Sequence, residues 1–469
     1  MVRNSLYSLA KPHLTSRKLH GESLLYLSAE LIIMLAVILV AAKVGGEIAE
    51  RFLKIPALLG ELCAGIIIGP HALGGIRFFD LAGPMFREVG PFLSTAASHG
   101  GDIAEPAIPF ALYFVGQLGA VLLLFEAGLE TNRKQFIKYI RPATAVAIGG
   151  VALPFALGFL VTLWFGYGSL DSISEAIPPL FVGAILTATS VGITARVLTD
   201  ISRLDSIEGV TVMAAAVLDD VLGIVLVAIV VGIAGDEGIS GASVILLIVK
   251  AVGFWLGLTI VGSILANRIS AMTMWFKSDG SSLVLAVTMA FIAASVAEVY
   301  FGLAMIIGAF SIGLALSATL LKEYTLFAIR NGGSVLIPVF FCIIGMQVDL
   351  TALWQSDNIV QLILFGSAIT LVAIISKLLG AGAPAALVGF GKMGSWRVGL
   401  GMLPRGEVAL IVAEIGRASG IIDRDIFTVA IVMTVVTTII APIFLTKAFA
   451  NAPANPEASE VHGHAAHGH

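Results

Sequence analysis

Charge is what this sequence has least of. Of its 469 residues only 12% are Asp, Glu, Lys or Arg, against 58% hydrophobic, and the mean hydropathy is +1.00. A soluble domain carries about 25% charged residues, so the surface this chain presents is made for lipid. Cysteine is nearly absent as well. Cys63 and Cys342 both lie in apolar runs, which excludes a disulfide framework and predicts free thiols. The net charge of −4 is small, and no nucleic-acid partner is expected. A cleaved leader is not expected either, because the first apolar run, Leu24 to Val44, is too long for a signal-peptide core and is followed by charge.

What fills the chain is a succession of apolar runs, each near the ~20 residues that a spanning helix needs. Thirteen candidate spans result, at 24–44, 53–71, 107–129, 142–166, 177–199, 209–232, 240–266, 280–300, 302–319, 332–348, 358–387, 396–416 and 425–447. The expected class is an all-α polytopic membrane protein. A tail of residues 1–23 precedes a membrane domain of 24–447, and a polar, His-containing tail of 448–469 follows. That last tail reads as solvated and disordered, or as a loose metal binder through His462, His464, His467 and His469.

An odd number of spans puts the termini on opposite sides. The loops after spans four, six, eight and ten hold no Lys or Arg, whereas the alternate loops are basic. By the excess of positive charge on the inner side, the N-terminus is outside and the C-terminus inside. The basic N-terminal tail (Arg3, Lys11, Arg17, Lys18) argues the other way.

Ionisable residues inside spans are costly and default to functional hypotheses. In TVMAAAVLDDVLGIVLVAIV, Asp219 and Asp220 fall near the middle of span six. Adjacent helix positions differ by about 100° around the axis, so the two carboxylates face different neighbours. Each must be protonated, paired with a base or bound to a cation, and a carboxylate that alternates between proton and cation is an exchanger. Lys377 lies in a long apolar run without an acid and is the natural partner of one aspartate. A buried pair that only locks helices is the structural alternative.

Two spans look broken. FVGAILTATSVGITARVLTD gathers Thr187, Thr189, Ser190, Gly192 and Thr194, and WRVGLGMLPRGEVALIVAEIG carries Gly401, Pro404 and Gly406 flanked by Arg405 and Glu407. Freed carbonyls and hydroxyls at a break can coordinate a cation, while half-helix ends contribute dipoles. Arg405 and Glu407 read chiefly as scaffold electrostatics. The broken spans are five and twelve, an odd separation that makes them cross the membrane in opposite directions. This is the mark of an inverted-repeat transporter whose site lies where the breaks meet. Glu61 and Glu126 read as interfacial or structural, or as lining an access funnel.

Together IPALLGELCAGIIIGP, LGAVLLLFEAGLE, LTATSVGITARVL, AAAVLDDVLGIVL, VFFCIIGMQVDL and GMLPRGEVALIVAEIG resemble the second monovalent cation:proton antiporter family, with its NapA-, GerN- and Kef-like members, over residues 30–447. The resemblance implies an inverted-repeat antiporter fold with two discontinuous helices crossing at the midplane, working as a homodimer in which a core domain moves against a dimerisation domain. It implies that Asp220 binds Na⁺ or Li⁺ and exchanges it for protons. Asp219 would pair with Lys377, and Thr187, Thr189 and Ser190 would sit at the first break. Members with this acid pair and lysine are similar to electrogenic exchangers. The presence of Lys377, and no C-terminal nucleotide-binding domain after the last span, direct the expectation to Na⁺/H⁺ exchange rather than Kef-like K⁺ efflux. No cofactor is expected beyond the transported ions, and the expected location is a bacterial-type inner membrane. Against this stand a K⁺/H⁺ exchanger, an anion or bile-acid type symporter, a passive channel and an intramembrane aspartyl protease. The protease needs its aspartates on facing helices, which adjacent residues do not provide.

Overall fold

The computed structural model describes residues 16–70, 72–73 and 110–234, scattered positions from 245 to 268, and 280–450 apart from 320 and 349–358. Within these the chain is helical: α1 Ser16–Ile48, continued by a π-helical turn Ala49–Leu53, α2 Ala57–Ile68, α3 Phe110–Glu130, α4 Arg133–Trp164, the pair α5 Ile173–Thr187 and α6 Val191–Asp200, α7 Ile207–Ala234, α8 Ser281–Phe301, α9 Met305–Leu316, α10 Leu321–Met346, α11 Ile359–Leu387, the pair α12 Lys392–Gly401 and α13 Glu407–Ala418, and α14 Arg424–Phe449. Each predicted span except 240–266 coincides with a helix or a pair of half-helices. About half of that span's positions lie outside the described residues, as do all of the N-terminal residues 1–15 and residues 451–469 of the His-containing tail. Among the described residues nine helical segments are long and apolar enough to cross a membrane, the α5–α6 pair being one of them.

Closing an all-helical structure in lipid leaves no exposed backbone donor or acceptor, and the surface follows from the same solvent. Trp164 is 85% exposed and Leu387 88%, as befits side chains facing hydrocarbon instead of water. Helix association then rests on close backbone approach at small residues. One such case is α4 on α11: a Cβ added to Gly149 would lie 2.2 Å from the Gly380 carbonyl oxygen, and one on Gly380 2.4 Å from that of Gly149. No side chain fits between these backbones.

The helices sort into two bundles. One contains α4 to α7 and α11 to α14; the other contains α1 to α3 and α8 to α10. Among the described residues the main backbone approach between them runs from α3 to the half-helix α6. The broken pairs lie in the first bundle and both abut α14, which places the two interruptions together in its centre.

Candidate functional site

The first break is Ala188–Ser190 and the second Met402–Gly406, and hydrogen bonds stitch them to each other. The Ser190 backbone N–H donates to Pro404 O at 2.7 Å. The hydroxyls of Thr194 and Thr189 donate to Gly401 O at 2.7 Å and Met402 O at 3.1 Å. A Cβ on Gly406 would come within 2.7 Å of the Ser190 hydroxyl, so glycine there lets the two chains touch. The Thr438 hydroxyl of α14 donates to Arg405 O and ties the crossover to a continuous helix.

A helix end leaves its last four carbonyls without intrahelical partners, and at mid-membrane water does not supply them. Those of α5 are all accounted for. Ala184 O accepts from the Thr187 hydroxyl at 2.7 Å and Ile185 O from the Ala188 N–H at 3.4 Å. Leu186 O accepts from Arg405 Nη2 at 2.7 Å, and Thr187 O from Lys377 Nζ at 2.6 Å. Two cations therefore cap the negative end of α5, where the helix dipole favours them. The carbonyl end of α12 is capped instead by the neutral hydroxyls of Thr194 and Thr189. The crossover is thus electrostatically lopsided, with both fixed positive charges on the α5 side.

Lys377 uses all three ammonium protons: besides Thr187 O it donates to Gly150 O at 2.8 Å and to Asp219 Oδ1 at 3.0 Å. Both members of the ion pair have fully buried side chains. The Gly150 carbonyl is free to accept because Pro154, four residues on, has no N–H to give it. Asp220 is 3% exposed, points about 100° away from Asp219 around α7, and is in Coulombic range of Lys377. Thr189 also lies in hydrogen-bonding range of the Asp219 carboxylate.

The remaining predicted residues fall as follows. Thr187 is the last residue of α5, its hydroxyl turned back onto its own helix, so its carbonyl is what faces the site. Ser190 caps α6, its hydroxyl accepting from Ile193 N–H at 3.4 Å. Gly192 is not part of the break: it lies inside α6, where the nearest neighbours of a Cβ would be Phe340, Leu123 and Leu124 at 3.5–3.8 Å, ordinary contact distances. Arg405 is fully buried, and its guanidinium donates to the carbonyls of Leu186, Ala373 and Leu403. Glu407 opens α13, but its side chain lies outside the described residues. Glu61 and Glu126 are 4% and 6% exposed, covered by neighbouring helices. Among the described residues no group of three or more His, Cys, Asp or Glu side chains is placed to hold a metal ion. The oxygens gathered at the crossover are those of the two aspartates and of the breaks.

Residues 33–450 match the family described as sodium/hydrogen exchanger, transmembrane. The chain belongs to that family. It is 35% identical over 433 residues to the high-affinity Na⁺/H⁺ antiporter NhaS3 of Synechocystis, covering 90% of this chain and 91% of the relative. With the Na⁺/H⁺–K⁺ antiporter GerN of Bacillus cereus it shares 32% over 424 residues, 90% and 96% of the two chains. Among solved structures it resembles the sodium proton antiporter MjNhaP1 of Methanocaldococcus jannaschii with a TM-score of 0.60 at 19% identity, over 90% of this chain and 97% of that one. The fold is the inverted-repeat antiporter fold, and the family is one of transporters rather than enzymes.

Sequence reading missed Gly150, Pro154 and the capping role of Thr194. The signal was there in GGVALP: a proline inside a span frees the carbonyl four residues earlier.

Proposed function

We propose that the protein exchanges Na⁺ or Li⁺ for protons by alternating access, with Asp220 as the carrier of ion or proton and Asp219–Lys377 as a coupled pair. The observation that carries this reading is the buried Lys377–Asp219 ion pair at the end of a broken helix, one residue from a second buried carboxylate. Two cations, Lys377 and Arg405, face two carboxylates, Asp219 and Asp220. With both aspartates ionised and no cargo the cluster is neutral, and either Na⁺ or one proton on Asp220 brings it to +1. Equal charge in the two loaded states lets the cargoes compete for one carboxylate in low dielectric, where an uncompensated second charge is penalised heavily. A proton shared with the Asp219–Lys377 pair makes the exchange electrogenic.

The rest of the reading follows from the sequence and the family. The N-terminus lies outside and the C-terminus inside a bacterial-type inner membrane, and two copies form a homodimer. K⁺/H⁺ exchange is the second reading, favoured by the K⁺ in the name of the relative GerN at 32% identity.

The test is proton flux in proteoliposomes on adding Na⁺, Li⁺ or K⁺. Cation-triggered flux with Na⁺ and Li⁺, abolished by Asp220→Asn, is the expected result. Flux with K⁺ alone would install the second reading, and full exchange in Asp220→Asn would remove Asp220 from the carrier role.

A further inference from the structure

Away from the crossover, one cluster of charges, part of it buried, has no part in the exchange scheme above. It lies where α3 meets α6, the main backbone approach between the two bundles. From the α6 side come Arg196, Thr199 and Asp200; from the other bundle come Glu61 on α2, Glu126 and Glu130 on α3, and Arg330 on α10. The Thr199 hydroxyl donates to Glu130 at 3.2 Å across the seam. Arg330 binds Glu126 at 3.3 Å and also Glu130. Arg196 is held by Asp200 on its own helix, at 3.1 Å.

Glu61 is the odd member. It is 4% exposed, and its Oε2 is buried without a hydrogen-bond partner among the described residues. The foremost opposite charge acting on it is the Arg196 guanidinium of the neighbouring bundle. A buried carboxylate left in this way is costly, so the arrangement of the bundles seen here is not the one that suits Glu61.

We propose that this seam is a conformational latch in which Arg196 exchanges partners: it stays with Asp200 while Thr199 is held by Glu130, and it takes Glu61 when α6 shifts against α2 and α3. The proposal rests on the alternating-access reading above. Its energetics are close to balanced, as a two-state element requires. Asp200 is one-third exposed and is solvated when Arg196 leaves, so its loss is small. Glu61 gains a counter-charge, while the Thr199–Glu130 bond is given up. Arg196 suits the role because a planar guanidinium offers five donors and keeps its charge throughout. The half-helix α6 carries Ser190 and Thr194 of the crossover at its other end, so movement at the latch and at the ion site is movement of one rigid element.

The test uses the full chain in proteoliposomes, in a Cys63→Ala, Cys342→Ala background. One variant carries Thr199→Cys with Glu130→Cys, the other Arg196→Cys with Glu61→Cys, and each is treated with a short bis-methanethiosulfonate crosslinker, whose disulfide links to the two thiols a reductant cleaves. The expected result is reciprocal. Changing from high Na⁺ at alkaline pH to Na⁺-free buffer at acid pH raises the yield of one pair about threefold or more while lowering the other. Either crosslink arrests the exchange that the uncrosslinked variant retains, and reductant returns it to that level. Yields that move together, or crosslinks that leave exchange untouched, would overturn the latch. Because the yields are read without transport, a parent that exchanges no ion would undo the functional reading while the yields still decide the latch.

Glu61→Gln, which keeps the shape of the side chain, gives a second readout. A fall in kcat of about tenfold with unchanged KM for Na⁺ is expected, since the lost contact belongs to the transition between arrangements and not to cation binding. An unchanged kcat, or a rise in KM alone, would count against it.

Discussion

Lys377 and Asp219 are joined at 3.0 Å with neither side chain reaching solvent, yet the lysine is anchored as much by two carbonyls as by the carboxylate. Through Gly150 O and Thr187 O it ties α4 and the end of α5 to α11. Removing it leaves one buried anion and two buried acceptors unmatched. Lys377→Gln is therefore expected to destabilise the protein by roughly 3–5 kcal/mol, the scale for breaking a buried pair from one side. Adding Asp219→Asn should recover part of that loss, because the uncompensated charge is gone while the two carbonyls remain. Thermal unfolding in detergent of the two single variants and the double variant checks this. A double variant no more stable than Lys377→Gln would mean that the carboxylate contributes nothing to the pair.

Pro154 offers a way to loosen Lys377 without touching it. In Pro154→Ala the new N–H takes the Gly150 carbonyl in the ordinary α-helical pattern, and the ammonium loses one of its three acceptors. Unfolding temperature should hold or rise, since a helix-interior proline costs on the order of 3 kcal/mol, while the exchange rate in proteoliposomes falls severalfold. Undiminished exchange would show that the Gly150 bond does not position the lysine.

The legible part of this protein was the part written in local pattern. Apolar runs gave the spans, and the small and hydroxylated residues of spans five and twelve gave the breaks, because both signals depend on a few neighbouring residues and on the cost of burying backbone polar groups in lipid. Asp219, Asp220, Lys377 and Arg405 stood out for the same reason, each a charge in an apolar run. Which group caps which carbonyl was not legible. Arg405 reaching Leu186 and Lys377 reaching Gly150 are pairings 219 and 227 residues apart in the chain, fixed only when the half-helices cross. Gly192 was assigned to the break by residue type, whereas the break ends two residues earlier because Ser190 caps α6. Glu61 and Glu126 stayed open between interfacial, structural and funnel-lining roles, because sequence does not reveal which face of a span is covered by another helix.

The seam between α4 and α11 sets adjacent glycines apart. At Gly149 a new Cβ meets the Gly380 carbonyl at 2.2 Å; at Gly150 its nearest neighbours are Ala381 Cβ at 3.7 Å and Lys377 Nζ at 3.8 Å. Gly149→Ala should cost about 1–3 kcal/mol, as overpacking does, whereas Gly150→Ala should stay within about 0.5 kcal/mol. Unfolding temperatures of the two variants, measured side by side, check the contrast. Equal losses would mean that α4 and α11 are not in backbone contact at Gly149.

Arg405 is the cleaner probe of the lopsided crossover, because the acceptors of its guanidinium among the described residues are carbonyls. Its Nη2 bridges Leu186 O on α5 and Ala373 O on α11 at 2.7 and 3.3 Å, a fork that an ammonium group does not reproduce. Arg405→Lys should therefore retain charge compensation at the end of α5 but lose one bridge, with a modest fall in stability and measurable exchange. Arg405→Met removes the charge as well, leaving Leu186 O buried and unmatched and the negative end of α5 balanced by Lys377 alone. It also shifts the charge of the site by one unit, so Na⁺ should bind more tightly and be released more slowly, and KM for Na⁺ and kcat should fall together. The order expected in exchange rate is wild type, then Lys, then Met, with KM lowest in Met. A Met variant with wild-type kcat and KM would mean that α5 needs no second cation and that Arg405 serves packing alone.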